Sequence, residues 1–209
     1  YEKIIGAFEE GEIDIMVGTQ MITKGLDFRN VRLVGIMNAD TLLNFPDFRA
    51  HERSFQLMLQ VAGRAGRTQK RGRVLIQTYN PHHQIVQQVS TNSYSEMYTE
   101  QLEERRQYKY PPFYRLIRIT LKGRDYSRVN EGADWLATSM KNSFYEHVLG
   151  PEFPPIARIR NEYYKNILLK IPQKQSLSKT KGVLERILQS FRAIGAYRGV
   201  RVVINVDPY

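Results

Sequence analysis

The chain opens on the spacing of a helix end, closed near Gly11, and then runs Ile13-Asp14-Ile15-Met16-Val17 into Gly18. A short apolar run stopped by glycine predicts a strand buried in a parallel sheet. Residues 31–37 and 73–78 repeat the pattern. Between them Phe55, Met58, Leu59 and Val61 recur at helical spacing over residues 53–62. Strands alternating with helices predict an α/β layer with ligands at the carboxyl ends of its strands. Asn80-Pro81 is a turn signal, and residues 83–90 and 93–107 read as helices. Tyr110-Pro111-Pro112-Phe113 forbids a helix and should be extended.

The remainder changes character. Residues 115–122 alternate as a strand, and residues 127–148 place Val129, Ala133, Leu136, Met140 and Phe144 on one helical stripe. Gly150-Pro151 breaks that helix. Residues 156–161 and 163–171 read as a hairpin, residues 179–194 as a second amphipathic helix, and residues 200–206 as a last strand. The order β-α-β-β-α-β predicts a ferredoxin-like α+β sandwich. The domain reading is therefore an α/β part over residues 1–80, a helical connector over 81–113 and a βαββαβ domain over 114–209.

Charge sharpens this division. Residues 1–107 hold 13 Lys+Arg and 13 Asp+Glu, whereas residues 108–209 hold 18 and 8, so the whole +10 sits in the second half. A basic module suits polyphosphate, because neutralising phosphates releases condensed counterions. Nine of the 13 Tyr also lie in that half, including Tyr163 and Tyr164 beside Arg158, Arg160, Lys165 and Lys170. Cations interleaved with aromatic rings suit single-stranded DNA, whose bases stack on the rings. The chain has no Cys, so disulfides and thiolate metal sites are excluded within it. His51, His82, His83 and His147 are scattered, and no metal site is predicted. No apolar run reaches the length of a membrane span and no signal peptide opens the chain. The missing initiator Met suggests a fragment.

Two segments carry candidate chemistry. In Gln60-Val61-Ala62-Gly63-Arg64-Ala65-Gly66-Arg67, the arginines share a face if the helix continues, and the glycines clear space beside them. A pair of planar, always-charged guanidinium forks suits triphosphate and the charge of a phosphoryl-transfer transition state. In Val17-Gly18-Thr19-Gln20, backbone amides and a hydroxyl follow a predicted strand, where a phosphate can be held.

Gly18-Thr19-Gln20…Lys24-Gly25-Leu26-Asp27 and Gln60 to Arg67 resemble motifs V and VI of superfamily 2 helicases. The intervening Asn38-Ala39-Asp40-Thr41-Leu42-Leu43-Asn44-Phe45-Pro46-Asp47-Phe48-Arg49-Ala50-His51-Glu52-Arg53 narrows the resemblance to the PriA family of replication-restart helicases. Arg105-Arg106, Pro111-Pro112-Phe113 and the ending Val206-Asp207-Pro208 are similar to the same family. The resemblance implies that residues 1–80 are part of a RecA-like second helicase lobe, and that the whole protein is an ATP-driven 3′-to-5′ DNA helicase of bacterial cytoplasm and nucleoid. It implies Arg64 and Arg67 at the γ-phosphate, Gln60 orienting them, Gly25, Asp27 and Gly63 along the ATP cleft, and Thr19, Gln20 and Lys24 on the tracking strand. It also implies branched and single-stranded DNA, single-strand-binding protein, and primosome and helicase-loading proteins as partners.

No G-x-x-x-x-G-K-[ST] and no D-E-x-x occurs in these residues, so the phosphate cradle and the Mg-holding carboxylates are expected in a first lobe outside them. The expectation is that these residues alone hydrolyse no ATP, that Zn ligands lie upstream, and that the partial lobe exposes apolar surface and self-associates. Two other readings stay open: a non-enzymatic nucleic-acid-binding module, and another superfamily 2 translocase, against which the segment from Asp40 to Arg53 argues.

Overall fold

The computed structural model describes residues 2–19, 31–66 and 72–208. It divides into two compact units, residues 1–103 and 104–209, and the division falls inside a helix.

The first unit contains α1 (Glu2–Glu9), β1 (Leu33–Ile36), α2 (Ala39–Leu43), α3 (Ala50–Ala62), β2 (Arg73–Ile76), α4 (Gln84–Thr91) and most of α5 (Tyr94–Gln107). β1 and β2 pair in parallel, with Val34 opposite Val74 and Ile36 opposite Ile76. Their inward residues Ile36 and Ile76 pack against Phe55 and Met58 of α3 and against Ala39 and Leu43 of α2. The sequence reading set residues 81–113 apart as a connector. In the structure Ile85, Val86 and Val89 of α4 and Met97 of α5 are buried in this same core. The strand expected at residues 13–17 does not form. Ile15 and Val17 are 79% and 84% exposed and, among the described residues, no strand pairs with them, so this apolar run has no described neighbour to hold it extended.

The second unit has β3 (Tyr114–Gly123), α6 (Tyr126–Phe144), β4 (Val148–Glu152), β5 (Arg158–Ile159), β6 (Glu162–Pro172), α7 (Leu177–Ala193) and β7 (Arg201–Val206). The strands form an antiparallel sheet in the order β4-β6-β3-β7, with the short β5 hairpinned onto β6. This is the ferredoxin-like arrangement. One boundary differs from expectation. The strand after α6 is β4, not residues 156–161, and α6 stops at Phe144. Gly150-Pro151 reads as a breaker, yet the strand absorbs it as a register shift between Leu149 and Glu152.

Each helix begins on a side-chain acceptor: Asp125 takes the Arg128 amide at 3.1 Å, and Ser176 takes the Lys179 amide at 3.5 Å. Both helices cover one face of the sheet. Ile117, Ile119 and Leu121 of β3 and Ile167, Leu169 and Ile171 of β6 point into that layer, against Val129, Leu136 and Met140 of α6 and Leu184, Leu188 and Phe191 of α7. Among the described residues, no helix is long and apolar enough to cross a membrane.

Candidate nucleotide-cleft segment and nucleic-acid interface

In the first unit, the sequence places Arg64 and Arg67 on one face only if α3 continues past Ala62, and the α-helix does not continue there. The helix stops at Ala62, and residues 63–66 follow it as turns. The Gly63 amide donates to the Leu59 carbonyl at 2.9 Å and the Arg64 amide to Val61 at 3.0 Å. Gly66 adopts a left-handed φ of 73°, which glycine takes without steric cost, and its amide donates to the Val31 carbonyl at 3.0 Å. The turn is thereby tied to the residues that lead into β1. Gln60 is exposed on the last turn of α3, Gly63 is exposed, and Arg64 is half-buried. Thr19 is exposed in an irregular stretch. Gln20, Lys24, Gly25, Asp27 and Arg67 lie outside the described residues.

Sequence reasoning missed the residue that makes room for this turn. A Cβ on Gly72 would lie 2.5 Å from the Ala65 carbonyl carbon and 2.5 Å from the Gly66 amide nitrogen. Only a glycine lets the start of β2 pass so close to the arginine-bearing backbone. It missed Asp40 as well. The Asp40 carboxylate accepts from the Thr78 hydroxyl at 2.8 Å and the Tyr79 amide at 3.0 Å, and the Ala39 amide donates to Gln77 at 3.0 Å. These bonds latch α2 to the carboxyl end of β2. The Tyr79 amide first, then the Thr78 hydroxyl, hold the Asp40 carboxyl below its usual range. Beside it, burial first and then the neighbouring His51 lower the pKa of His83, whose Nδ1 caps α4 by accepting from the Ile85 amide at 3.2 Å.

In the second unit, the period of two in β6 separates residues that look contiguous in sequence. Tyr163 and Lys165 fall on the helix-facing side, Tyr164 and Lys170 on the other. Lys165 is 7% exposed; its Nζ donates to Asn130 Oδ1 and lies 3.5 Å from Asp134 Oδ1 and 5.0 Å from the Phe153 ring centroid. Lys170 is 6% exposed, donates to the Tyr108 carbonyl at 2.7 Å and sits 3.6 Å from the Tyr110 ring centroid. Burial, and then the Lys109 charge, push its pKa down to about 8. Neither ammonium is presented to solvent. Both were expected on DNA, and their alternation with Ile167 and Leu169, or their place under the Tyr108–Tyr110 segment, accounts for the difference.

Arg158 remains exposed, hydrogen-bonded to Asn161 and 5.1 Å from the Tyr163 ring centroid. Arg160 is exposed at the hairpin tip with a φ of 48°. Tyr163 meets Tyr126 edge-on at 5.4 Å, and Tyr126 stacks on Phe153 at 5.8 Å and 6°. Tyr126 and Phe153 are 49% and 42% exposed, so this end of the domain presents rings and guanidinium groups together. Among the described residues, no group of three or more His, Asp or Glu is gathered as a metal site.

Comparison with known proteins agrees with this division. The family model described as the helicase conserved C-terminal domain matches residues 1–69, and that of the primosomal protein N C-terminal domain matches residues 106–209. The replication restart protein PriA of Bacillus subtilis is 41% identical over 211 residues, covering 100% of this chain and 26% of that protein. PriA of Synechocystis is 38% identical over 100% of the chain and 24% of its own length, and PriA of Treponema pallidum 41% identical over 99% and 31%. The chain thus spans about a quarter to a third of these curated relatives. With a helicase domain over its first third, a primosomal domain over its second half, and such relatives along its whole length, the chain belongs to the PriA family of replication restart proteins and corresponds to that family's C-terminal region.

Proposed function

We propose that the whole protein is an ATP-dependent 3′-to-5′ DNA helicase that acts at stalled forks and supports primosome assembly. In that reading the present chain supplies the arginine side of the nucleotide cleft and a DNA-binding domain. The observation that carries the reading is the Gly63–Gly66 turn at the end of α3, fixed to Val31 and relieved by Gly72. A guanidinium on a glycine-lined turn fits triphosphate, since its planar fork pairs with phosphate oxygens and nearby side chains are small. Arg64 and Arg67 would contact the γ-phosphate, with Gln60 orienting them and Gly25, Asp27 and Gly63 bordering the cleft. ATP and Mg supply the phosphoryl chemistry when bound by the whole protein, and Zn ligands are assigned to residues outside this chain. Thr19, Gln20 and Lys24 would follow the backbone of the tracked strand.

The second unit would hold branched and single-stranded DNA through Arg158, Arg160, Tyr163 and Tyr164, with Lys165 and Lys170 positioning neighbouring rings and backbone. Single-strand-binding protein and helicase-loading proteins are its proposed protein partners. The chain by itself, lacking a phosphate cradle, is proposed to hydrolyse no ATP.

The test is made in the full-length protein. Arg64→Ala and Arg67→Ala should each lower DNA-stimulated ATP hydrolysis by roughly 10³-fold, while DNA affinity stays near that of the wild type. Unchanged hydrolysis in both would favour a non-enzymatic binding module and defeat the motor reading.

A further inference from the structure

The helix-free face of the β4-β6-β3-β7 sheet carries an arrangement that neither packing nor solubility explains. α6 and α7 both lie on the opposite face. The Tyr108–Tyr110 segment covers the Leu116 and Lys170 end, where Leu116 is 3% exposed. Beyond that end, three cross-strand rows remain uncovered. Their register is set by the pairings of β3 with β6 and β7. The rows are Tyr164–Lys122–Arg201, Asn166–Thr120–Val203 and Leu168–Arg118–Asn205.

An antiparallel sheet with one wet face ordinarily mixes charges of both signs. These three rows hold Lys122, Arg118 and Arg201 and no carboxylate. Glu162 lies just outside them, where it pairs with Arg201, and Glu152 lies on the edge strand opposite Asn166. Lys122 and Arg201 stand directly opposite each other, and like charges in that relation destabilise a sheet. The side chain of Arg201 is 64% exposed despite its partner. Tyr164, half-buried, puts a ring in the same row. In the next row the Thr120 hydroxyl donates to Asn166 Oδ1 at 2.8 Å. That bond leaves both amide hydrogens of Asn166 for another acceptor. Val203 and, on β4, Leu149 add apolar surface, at 43% and 47% exposure. Past the first row lies an open cavity of about 310 Å³ whose charged lining is Arg124, Arg128, Asp125 and Glu162.

We infer that this uncovered sheet face is a platform for single-stranded DNA. Tyr164 stacks on a base, Lys122, Arg118 and Arg201 take its phosphates, and the Asn166 amide donates to a base edge or phosphate. The inference rests on the proposal that the second unit binds DNA, and it assigns that binding to a face the sequence does not single out. Four-stranded sheets that stack bases on surface rings use the same physics. The phosphates of an occupying strand also screen whatever Lys122–Arg201 repulsion the Glu162 ion pair leaves.

The experiment uses the 209-residue chain and a fluorescent oligo-dT, with anisotropy followed over a range of salt. Tyr164→Leu keeps the bulk and removes the ring, and should weaken binding roughly tenfold with little change in salt dependence. Lys122→Gln and Arg118→Gln should each reduce the salt slope by about 0.7. Lys181→Gln makes the same charge change on exposed α7 and should leave the slope within error. Circular dichroism checks that each variant is folded. Photocrosslinking of a bromouracil oligonucleotide to the wild type, read by mass spectrometry, should mark Tyr164 without any substitution. If Lys122→Gln and Lys181→Gln behave alike and Tyr164→Leu binds normally, the face assignment falls while DNA binding stands. If the wild type does not bind oligo-dT even at low salt, the DNA role of the domain falls with it. An equal loss of duplex affinity in Tyr164→Leu also overturns the inference, since a paired base cannot stack on the ring.

Discussion

The two sheets of the molecule solve the same problem unequally. The antiparallel sheet of the second unit buries one face under α6 and α7 and turns a polar face outward. Among the described residues, the parallel pair of the first unit is packed on one side. Ile36 and Ile76 meet α2 and α3, while Leu33 and Leu75 are 57% and 59% exposed and Met37 is 74% exposed. Parallel strands are normally buried on both faces, because their hydrophobic runs leave no polar side to wet. The comparison teaches that the second unit holds its fold with its own side chains, whereas the first presents apolar surface that a larger assembly would cover.

The strongest way to break that contrast is to hollow the better core. Phe191 is 1% exposed and rings it with Trp135 at 5.9 Å and Tyr197 at 5.2 Å. Phe191→Ala should cost about 3–5 kcal/mol, and hydrogen exchange should show protection lost across the second unit while α3 and α4 keep theirs. Matching loss in both units would mean that they unfold as one body and that the contrast is false.

A smaller effect separates the units by acid. Because hydrogen bonds hold the Asp40 carboxyl below its unfolded value, its contribution is present above that unfolded value and is lost as pH falls through the folded one. The first unit should therefore melt at lower temperature as pH drops below about 4. Asp40→Ala should melt lower than the wild type at neutral pH, and the two should converge once pH has fallen below the lowered folded-state value, where the carboxyl is protonated in both states. Persistent separation there would deny the latch.

The second unit should respond at the opposite end of the scale. Lys170, pushed down to about 8 in the folded chain, releases its proton before the unfolded chain does. Between about pH 8 and the ordinary lysine range the unfolded state binds more protons, so stability rises with pH in that window. Lys170→Met should flatten the rise, as read by denaturant midpoints at several pH values. The least effect is expected on the bare parallel face. Leu75→Gln should change stability by less than about 0.5 kcal/mol yet reduce self-association in sedimentation, because the removed side chain contacts mainly solvent.

Which of these features the sequence discloses follows from how local their causes are. β3 and β6 are legible because alternation is a local record of one wet and one dry face. The same alternation, carried one step further, would have put Lys165 in line with Ile167 and Leu169 and flagged it as interior. Lys170 gave no such warning, since it is covered by the Tyr108–Tyr110 segment some sixty positions earlier in the chain. β4 was hidden by Gly150-Pro151, which signals a break unless a neighbouring strand accepts the register shift. Residues 13–17 failed in the reverse way, offering a strand's composition without a partner among the described residues. Arg64 was recognised as a candidate from motif spacing alone, but the turn that presents it depends on Val31 and Gly72, contacts that no periodicity encodes.

The close approach of backbone at Gly72 makes that position a remote control. Any side chain there would act as a wedge under the backbone of Ala65 and Gly66, shifting the guanidinium-bearing loop without removing one charged group. Under the role proposed for Arg64, a mutational survey of the whole protein scored only by ATP turnover would file such variants with Arg64→Ala. Thermal melting would separate the two, because a side chain at Gly72 forced against that backbone should lower the melting temperature of the first unit, whereas Arg64→Ala should leave it near that of the wild type.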